Sequence, residues 1–201
     1  MHNCRRVLIL SASLAAIALS PIASAIPMLT QMDAIIAGTH NIDFSGQTEG
    51  ADVSNAYTTQ GITFNGLHAT STYGSSFVPT TAPAAINFTN FFNVNNPFGF
   101  SFSGPVTDVS FYLVTDGYGT NITSYLNGVE VQSFIVNTYN GANSFYGFSN
   151  TLINRVVFNV GGDHLALIDN VAYSNVVPEP ASLALLGLGL AGFAAARRRK
   201  V

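Results

Sequence analysis

The run Phe98-Gly99-Phe100-Ser101-Phe102-Ser103-Gly104-Pro105-Val106-Thr107-Asp108-Val109-Ser110-Phe111-Tyr112-Leu113 decides the fold class. Phe98, Phe100 and Phe102 alternate with Gly99 and Ser101, and Val109, Phe111 and Leu113 alternate with Ser110 and Tyr112. A period of two built on aromatic and β-branched residues marks strands with one buried face. The stretch therefore predicts strands at Phe98–Ser103 and Val106–Thr115. Working outward, Asn127-Gly128 separates Ile122–Leu126 from Val129–Val136. Asn-Gly is the strongest short hairpin signal, because both central positions of a type I′ turn need positive φ. Asp116-Gly117, Asn140-Gly141 and Gly161-Gly162-Asp163 punctuate the later strands. Further strands are expected at Thr39–Phe44, Gly61–Leu67, Ala84–Phe88, Asn121–Leu126, Val129–Val136, Ser144–Phe148, Ile153–Val160 and His164–Tyr173. No stretch of this middle region holds a helical period. The expectation is an all-β, antiparallel β-sandwich over residues 39–176, preceded at 26–38 by a linker or an extra edge strand.

Composition supports a folded domain. The chain has 201 residues, of which 15 are Phe and 8 are Tyr, enough apolar surface to offset the entropy of ordering despite few charges. The net charge of −3 hides an uneven distribution. Arg5 and Arg6 lie near one terminus and Arg197, Arg198, Arg199 and Lys200 at the other, leaving Arg155 alone between Ile26 and Val177. Asp33, Asp43, Glu49, Asp52, Asp108, Asp116, Glu130, Asp163 and Asp169 share that interval. Nucleic-acid binding needs clustered cations on the folded domain, so it is excluded as a function class.

Both ends carry targeting features. Arg5-Arg6, the apolar run Val7–Leu19 and Ala23-Ser24-Ala25 follow the order of a secretory signal peptide over residues 1–25, with cleavage after Ala25. Cys4, the only cysteine, falls within the removed segment, so the mature chain has neither a disulfide nor thiol chemistry. At the other end, Pro178-Glu179-Pro180 precedes an apolar run, 181–196, and then Arg197-Arg198-Arg199-Lys200. At about 1.5 Å per residue this run makes a short transmembrane helix, extended to the interface by snorkelling arginines. The positive-inside rule keeps the basic cluster cytoplasmic and places the β domain on the periplasmic side of the inner membrane.

This tail, over residues 177–201, resembles the PEP-CTERM sorting signal of Gram-negative bacteria that make exopolysaccharide. The resemblance implies an exosortase-type processing enzyme as a partner, acting near Pro178, Glu179 and Pro180, and release to the cell envelope or matrix. The tail also lends its name to chains labelled as carrying an ice-binding protein C-terminal domain, a label that describes the tail and no activity. Thr58-Thr59, Thr80-Thr81 and Thr120 lack the regular spacing that an ice-binding face wants.

The middle region resembles the jelly-roll sandwiches found ahead of such tails, through Ile42-Asp43-Phe44, Glu49-Gly50, Gly61-Ile62-Thr63-Phe64 and Leu167-Ile168-Asp169-Asn170-Val171. The resemblance implies one cofactor, a structural Ca²⁺ between the first and last strands, with Asp43 or Glu49 approaching Asp169. The family often has two acids on the first strand, where this chain has Phe44-Ser45. Catalytic motifs are absent: the sequence contains no G-x-S-x-G, no H-E-x-x-H and no Cys/His metal spacing. His40, His68 and His164 are scattered. Asp52, Asp108, Asp116 and Glu130 are the acids available to a glycosidase, which needs a facing pair. Tyr139, Phe145, Tyr146 and Phe148 are candidates for a sugar-stacking platform, with core packing the competing role. The resulting expectation is a non-enzymatic envelope or matrix protein associated with glycan, with a polysaccharide hydrolase as the alternative.

The Pro-Glu-Pro, helix and arginine order generates the first prediction. In a host with the sorting protease, the protein should lose its C-terminal segment; in a protease-deletion strain it should stay full-length and membrane-bound. Mass spectrometry that finds Arg197–Val201 intact on the secreted protein would overturn this.

Overall fold

The computed structural model describes residues 26–28, 40–77, 80–90, 93–138, 144–162 and 164–175. The signal segment with Ala23 and Ala25, all of 29–39, and the tail with Pro178, Glu179, Pro180 and Arg197–Lys200 lie outside the described residues. In chain order the elements are β1 (Ile26–Met28), β2 (His40–Ile42), β3 (Ile62–Asn65), β4 (His68–Thr70), α1 (Ser71–Gly74), β5 (Ala84–Ile86), β6 (Phe88–Asn90), β7 (Asn93–Val94) and β8 (Phe98–Thr115). There follow β9 (Gly119–Leu126), β10 (Val129–Asn137), β11 (Phe145–Ser149), β12 (Ile153–Val160) and β13 (Ala166–Asn175). Among the described residues no helix is long and apolar enough to cross a membrane; the expected span at 181–196 is not among them.

The Phe98 run is one strand and not two. β8 continues for 18 residues through Gly104-Pro105. Its first half pairs with β12 (Phe100↔Val156) and β3 (Phe100↔Phe64), and its second half with β11 (Phe111↔Tyr146) and β13 (Leu113↔Ile168). The partners change because the strand leaves one layer and enters the other. Gly104 and Pro105 fall where the β12 ladder slips between Ile153↔Val106 and Arg155↔Ser101, and a residue without an N–H is tolerated in such an irregular stretch. The alternation was legible, but a bend that keeps the extended backbone looks like a break in sequence.

The described strand pairs are all antiparallel and form a jelly-roll-like sandwich. One layer runs β10–β9–β12–β8–β3. The other runs β1–β11–β8–β13, with β5 and β2 along successive parts of β13 and β4 beyond β5. Of the 26–38 segment, Ile26–Met28 forms β1 beside β11, and 29–38 lies outside the described residues. The hairpin between β9 and β10 has φ 52° at Asn127 and 83° at Gly128, as the Asn-Gly signal requires. The expected strand Ala84–Phe88 divides at Asn87. This buried side chain accepts from Ala166 N (2.8 Å) and donates to the carbonyls of His164 (3.1 Å) and Asn95 (3.3 Å), while its backbone N–H still donates to the Ala166 carbonyl (3.1 Å). β4 and α1 were not anticipated, being too short for any period to register.

The two layers close on a cluster of phenyl rings. Phe158 of β12 stacks on Phe98 at 5.3 Å, meets Phe100 at 5.8 Å and sets its ring edge-on to Phe111 at 5.0 Å. Phe98 and Phe100 come from the first half of β8 and Phe111 from the second, so Phe158 touches both sides of the bend. All four rings are buried. Phe158→Ala should therefore cost about 3–5 kcal/mol, read as a lower denaturation midpoint in urea. A loss under about 1 kcal/mol would show that this cluster does not hold the layers together.

Candidate functional site

The period of two that buries Phe98, Phe100, Val156, Phe158 and Ile122 forces their neighbours onto the opposite face of the β10–β9–β12–β8–β3 layer. Register places Tyr125, Arg155, Ser101 and Thr63 in one row across β9, β12, β8 and β3. The next row holds Ser133, Thr123, Val157, Gly99 and Asn65. Ile135, Asn121 and Asn159 form a third. Thr63, Asn65, Arg155 and Asn159 are exposed, and Ser101, Tyr125 and Val157 are half-buried. The polar groups partly organise each other: Ser133 Oγ donates to Asn121 Oδ1 at 2.8 Å and lies 3.2 Å from Thr123 Oγ1.

A depression of about 340 Å³ opens on this face, lined by Asn65, Gly99, Ser101, Arg155 and Val157 among others. Gly99 keeps its floor low. A Cβ there would come within 2.1 Å of the Val156 carbonyl oxygen, so only glycine allows the strands this approach. Arg155 stands at the rim with its guanidinium carbon 5.7 Å from the centroid of the Tyr125 ring, within cation–π range. Tyr125 and Arg155 were not singled out as ligand contacts from the sequence. The signal was present in the alternation of β12, where Arg155 falls on the outward parity, but the apposition of Tyr125 needed the register.

The acids named for metal binding go elsewhere. β2 does pair with β13 (Ile42↔Val171), so the first and last strands are neighbours as expected. Asp169 is fully buried. It accepts from Thr81 N at 2.8 Å, Thr81 Oγ1 at 3.0 Å and Asn170 N at 2.8 Å. Burial pushes its carboxyl up to about 6; the Thr81 and Asn170 donors oppose this, and the negative Asp43 nearby adds to it. Asp43 accepts from Ser45 N at 3.0 Å, and the Ser45 bonds hold it below the usual carboxylate range. Glu49 is committed to the start of α1, accepting from Thr70 Oγ1 (3.0 Å), Ser71 N (2.5 Å) and Thr72 N (3.1 Å). Ca²⁺ wants six to eight oxygen ligands. Among the described residues no three His, Cys, Asp or Glu side chains cluster, and the carboxylates of Asp43, Glu49 and Asp169 already receive N–H or O–H donors. The arrangement does not fit the Ca²⁺ site that the jelly-roll resemblance implied.

The other candidates also resolve into structural roles. Asp52 accepts from Ser54 N (2.8 Å), Asp108 from Asn150 N (2.9 Å) and Thr107 Oγ1 (3.0 Å), and Asp116 pairs with His164 Nδ1 (3.0 Å). Glu130 is exposed at the start of β10. His40 stacks on Tyr173 at 4.8 Å, and His68 lies in β4. Phe145, Tyr146 and Phe148 are buried, at 2, 7 and 0% exposure, and form no platform. Tyr139 lies outside the described residues.

Residues 176–200 match the family model of the PEP-CTERM protein-sorting motif. The chain is thus an exported protein of the kind that an exosortase-type enzyme processes, and its folded part is a jelly-roll-like β-sandwich. No curated protein matches it. A solved structure described as TmCBM61 in complex with β-1,4-galactotriose matches at 15% identity and a TM-score of 0.36, over 56% of this chain and 85% of that one. A score this low carries nothing about what this chain binds.

Asp169 generates a pH prediction. Its folded pKa of about 6 lies above the ordinary 3.8, so its contribution to stability is fully present below about pH 4 and is lost as pH rises through 6. The difference amounts to roughly 3 kcal/mol as an upper bound. Asp43, Glu49 and Asp52 are held low, so their opposite contributions are lost only as pH falls below about 4. Thermal melts between pH 4 and 6.5 should show wild type losing stability and Asp169→Asn nearly flat; parallel curves would refute the assignment. Melts with chelator and with millimolar Ca²⁺ should coincide at each pH, and a Ca²⁺-dependent rise would reinstate the metal site.

Proposed function

We propose that this protein is a non-enzymatic component of the cell envelope or extracellular matrix that holds a polysaccharide on the open face of its β10–β9–β12–β8–β3 layer. On this reading it is anchored at the inner membrane with the sandwich on the periplasmic side until its sorting tail is processed. The observation that carries the proposal is the row Tyr125, Arg155, Ser101 and Thr63, flanking a depression floored by Gly99. A sugar chain offers an apolar ring face and a hydroxyl rim. Tyr125 supplies a ring for the first, and Asn65, Ser101 and Thr63 supply donors and acceptors for the second. Strand residues held in register form a preorganised surface, which limits the ordering cost on binding.

The non-enzymatic assignment rests on the acids. Hydrolysis of a glycosidic bond needs two carboxylates across the substrate, and the rows of this face carry a single acid, Glu130, the register partner of Tyr125. Glycan-array binding by the exported protein tests the proposal. Tyr125→Ala should weaken the strongest signal by about five- to tenfold while leaving the melting curve in place. Equal binding by this variant would remove the face from the proposal, and release of reducing sugar from a bound glycan would overturn the non-enzymatic assignment.

A further inference from the structure

Resting on the proposed glycan face, we infer that its ligand is an anionic polysaccharide, and that Arg155 is the specificity-determining residue, receiving a sugar carboxylate. Arg155 is the lone Arg or Lys between Ile26 and Val177, in an interval with many acids. Such a cation would ordinarily be taken up by one of them. Among the described residues, the basic side chain set against an acid is instead His164, 3.0 Å from Asp116, and Arg155 is exposed with Tyr125 as its contact. Asp108, Asp52, Asp43, Glu49 and Asp169 spend their oxygens on Asn150, Ser54, Ser45, α1 and Thr81. Glu130 lies one strand beyond, across Tyr125 in register, and makes no ion pair with Arg155.

The chemistry follows from what a neutral sugar would need. Hydroxyls are served by Asn, Ser and Thr, which this face already has in its rows. A guanidinium adds little for a hydroxyl and must be partly desolvated when a ligand covers it, a cost that an anion offsets. Its planar fork matches a carboxylate with two parallel N–H···O bonds. The cation–π contact with Tyr125, 5.7 Å from its ring centroid, restrains that fork before the ligand arrives. An acidic domain also repels polyanions in general, so binding of one requires a local site, and Arg155 is the cation this face offers. The chemical class is a uronate-bearing polysaccharide.

The test uses the full-length protein in detergent, titrated with oligomers of galacturonate, glucuronate and mannuronate, each beside its fully methyl-esterified form. Esterification removes the charge and keeps the sugar backbone. At least one acid form should bind about tenfold or more tightly than its ester. Arg155→Gln should abolish that difference without weakening the ester, and Arg155→Lys should restore part of it, since it keeps the charge and loses the fork. Circular dichroism melts of the variants confirm that the fold is intact. Acid and ester forms binding alike, with Arg155→Gln inert and Tyr125→Ala still weakening both, would overturn the anionic inference and leave the glycan face standing. Preference for the acid form that survives Arg155→Gln would also overturn it. No binding to any acid, ester or neutral glycan would overturn the glycan face itself.

Discussion

The contact of Phe158 with Phe98 and Phe100 on one side and with Phe111 on the other is the interaction on which the sandwich depends. β8 supplies a strand to each layer, and a strand that changes layers must turn its apolar face toward the same interior throughout. Phe98, Phe100 and Phe102 before the bend, and Val109, Phe111 and Leu113 after it, do this by keeping their parity on each side of Gly104-Pro105. Phe158 then fills the angle between the halves. The core spreads from there through Phe64, Phe44 and Tyr57, whose rings meet at 5.2–5.9 Å.

The same parity governs the outer surface. Once Val156 and Phe158 face inward, Arg155, Val157 and Asn159 must face outward, and the β9 and β3 registers bring Tyr125 and Thr63 into line with Arg155 through Ser101. The open face is therefore a by-product of the core pattern in its placement, and specific to this chain in its chemistry. Gly99 shows the coupling directly: its missing side chain lets β8 lie close to β12 and deepens the depression beside Arg155.

Buried polar groups elsewhere stitch loops to strands. Asn87 ties β5 to the start of β13 and to the chain beside β7. Asp169 ties the loop at Thr81 to β13 where Asn170, at φ 48°, forms an irregularity in the ladder. A fully buried carboxyl with three donors is a positioning device that keeps its proton more readily than a surface acid. The negative Asp43 nearby adds to this.

The alternation at Phe98–Leu113, the Asn127-Gly128 hairpin and the strand Ile153–Val160 were legible in the sequence because each depends on residues close in the chain. So was the sorting tail, since its triplet, apolar run and arginines are contiguous and its reader is another protein. The short elements β4 and α1 depend on a remote partner: Thr70 and Glu49 satisfy the first amides of α1. Whether Phe145, Tyr146 and Phe148 faced sugar or core was likewise undecided until β11 took its place beside β8. Arg155 could be seen as the lone cation of an acidic domain, but a single sequence does not say which strand lies beside it. Only the tertiary register sets Arg155 beside Tyr125 and, among the described residues, away from any carboxylate partner, because hydrogen bonding between strands distant in the chain, and not local propensity, determines which side chains share a row.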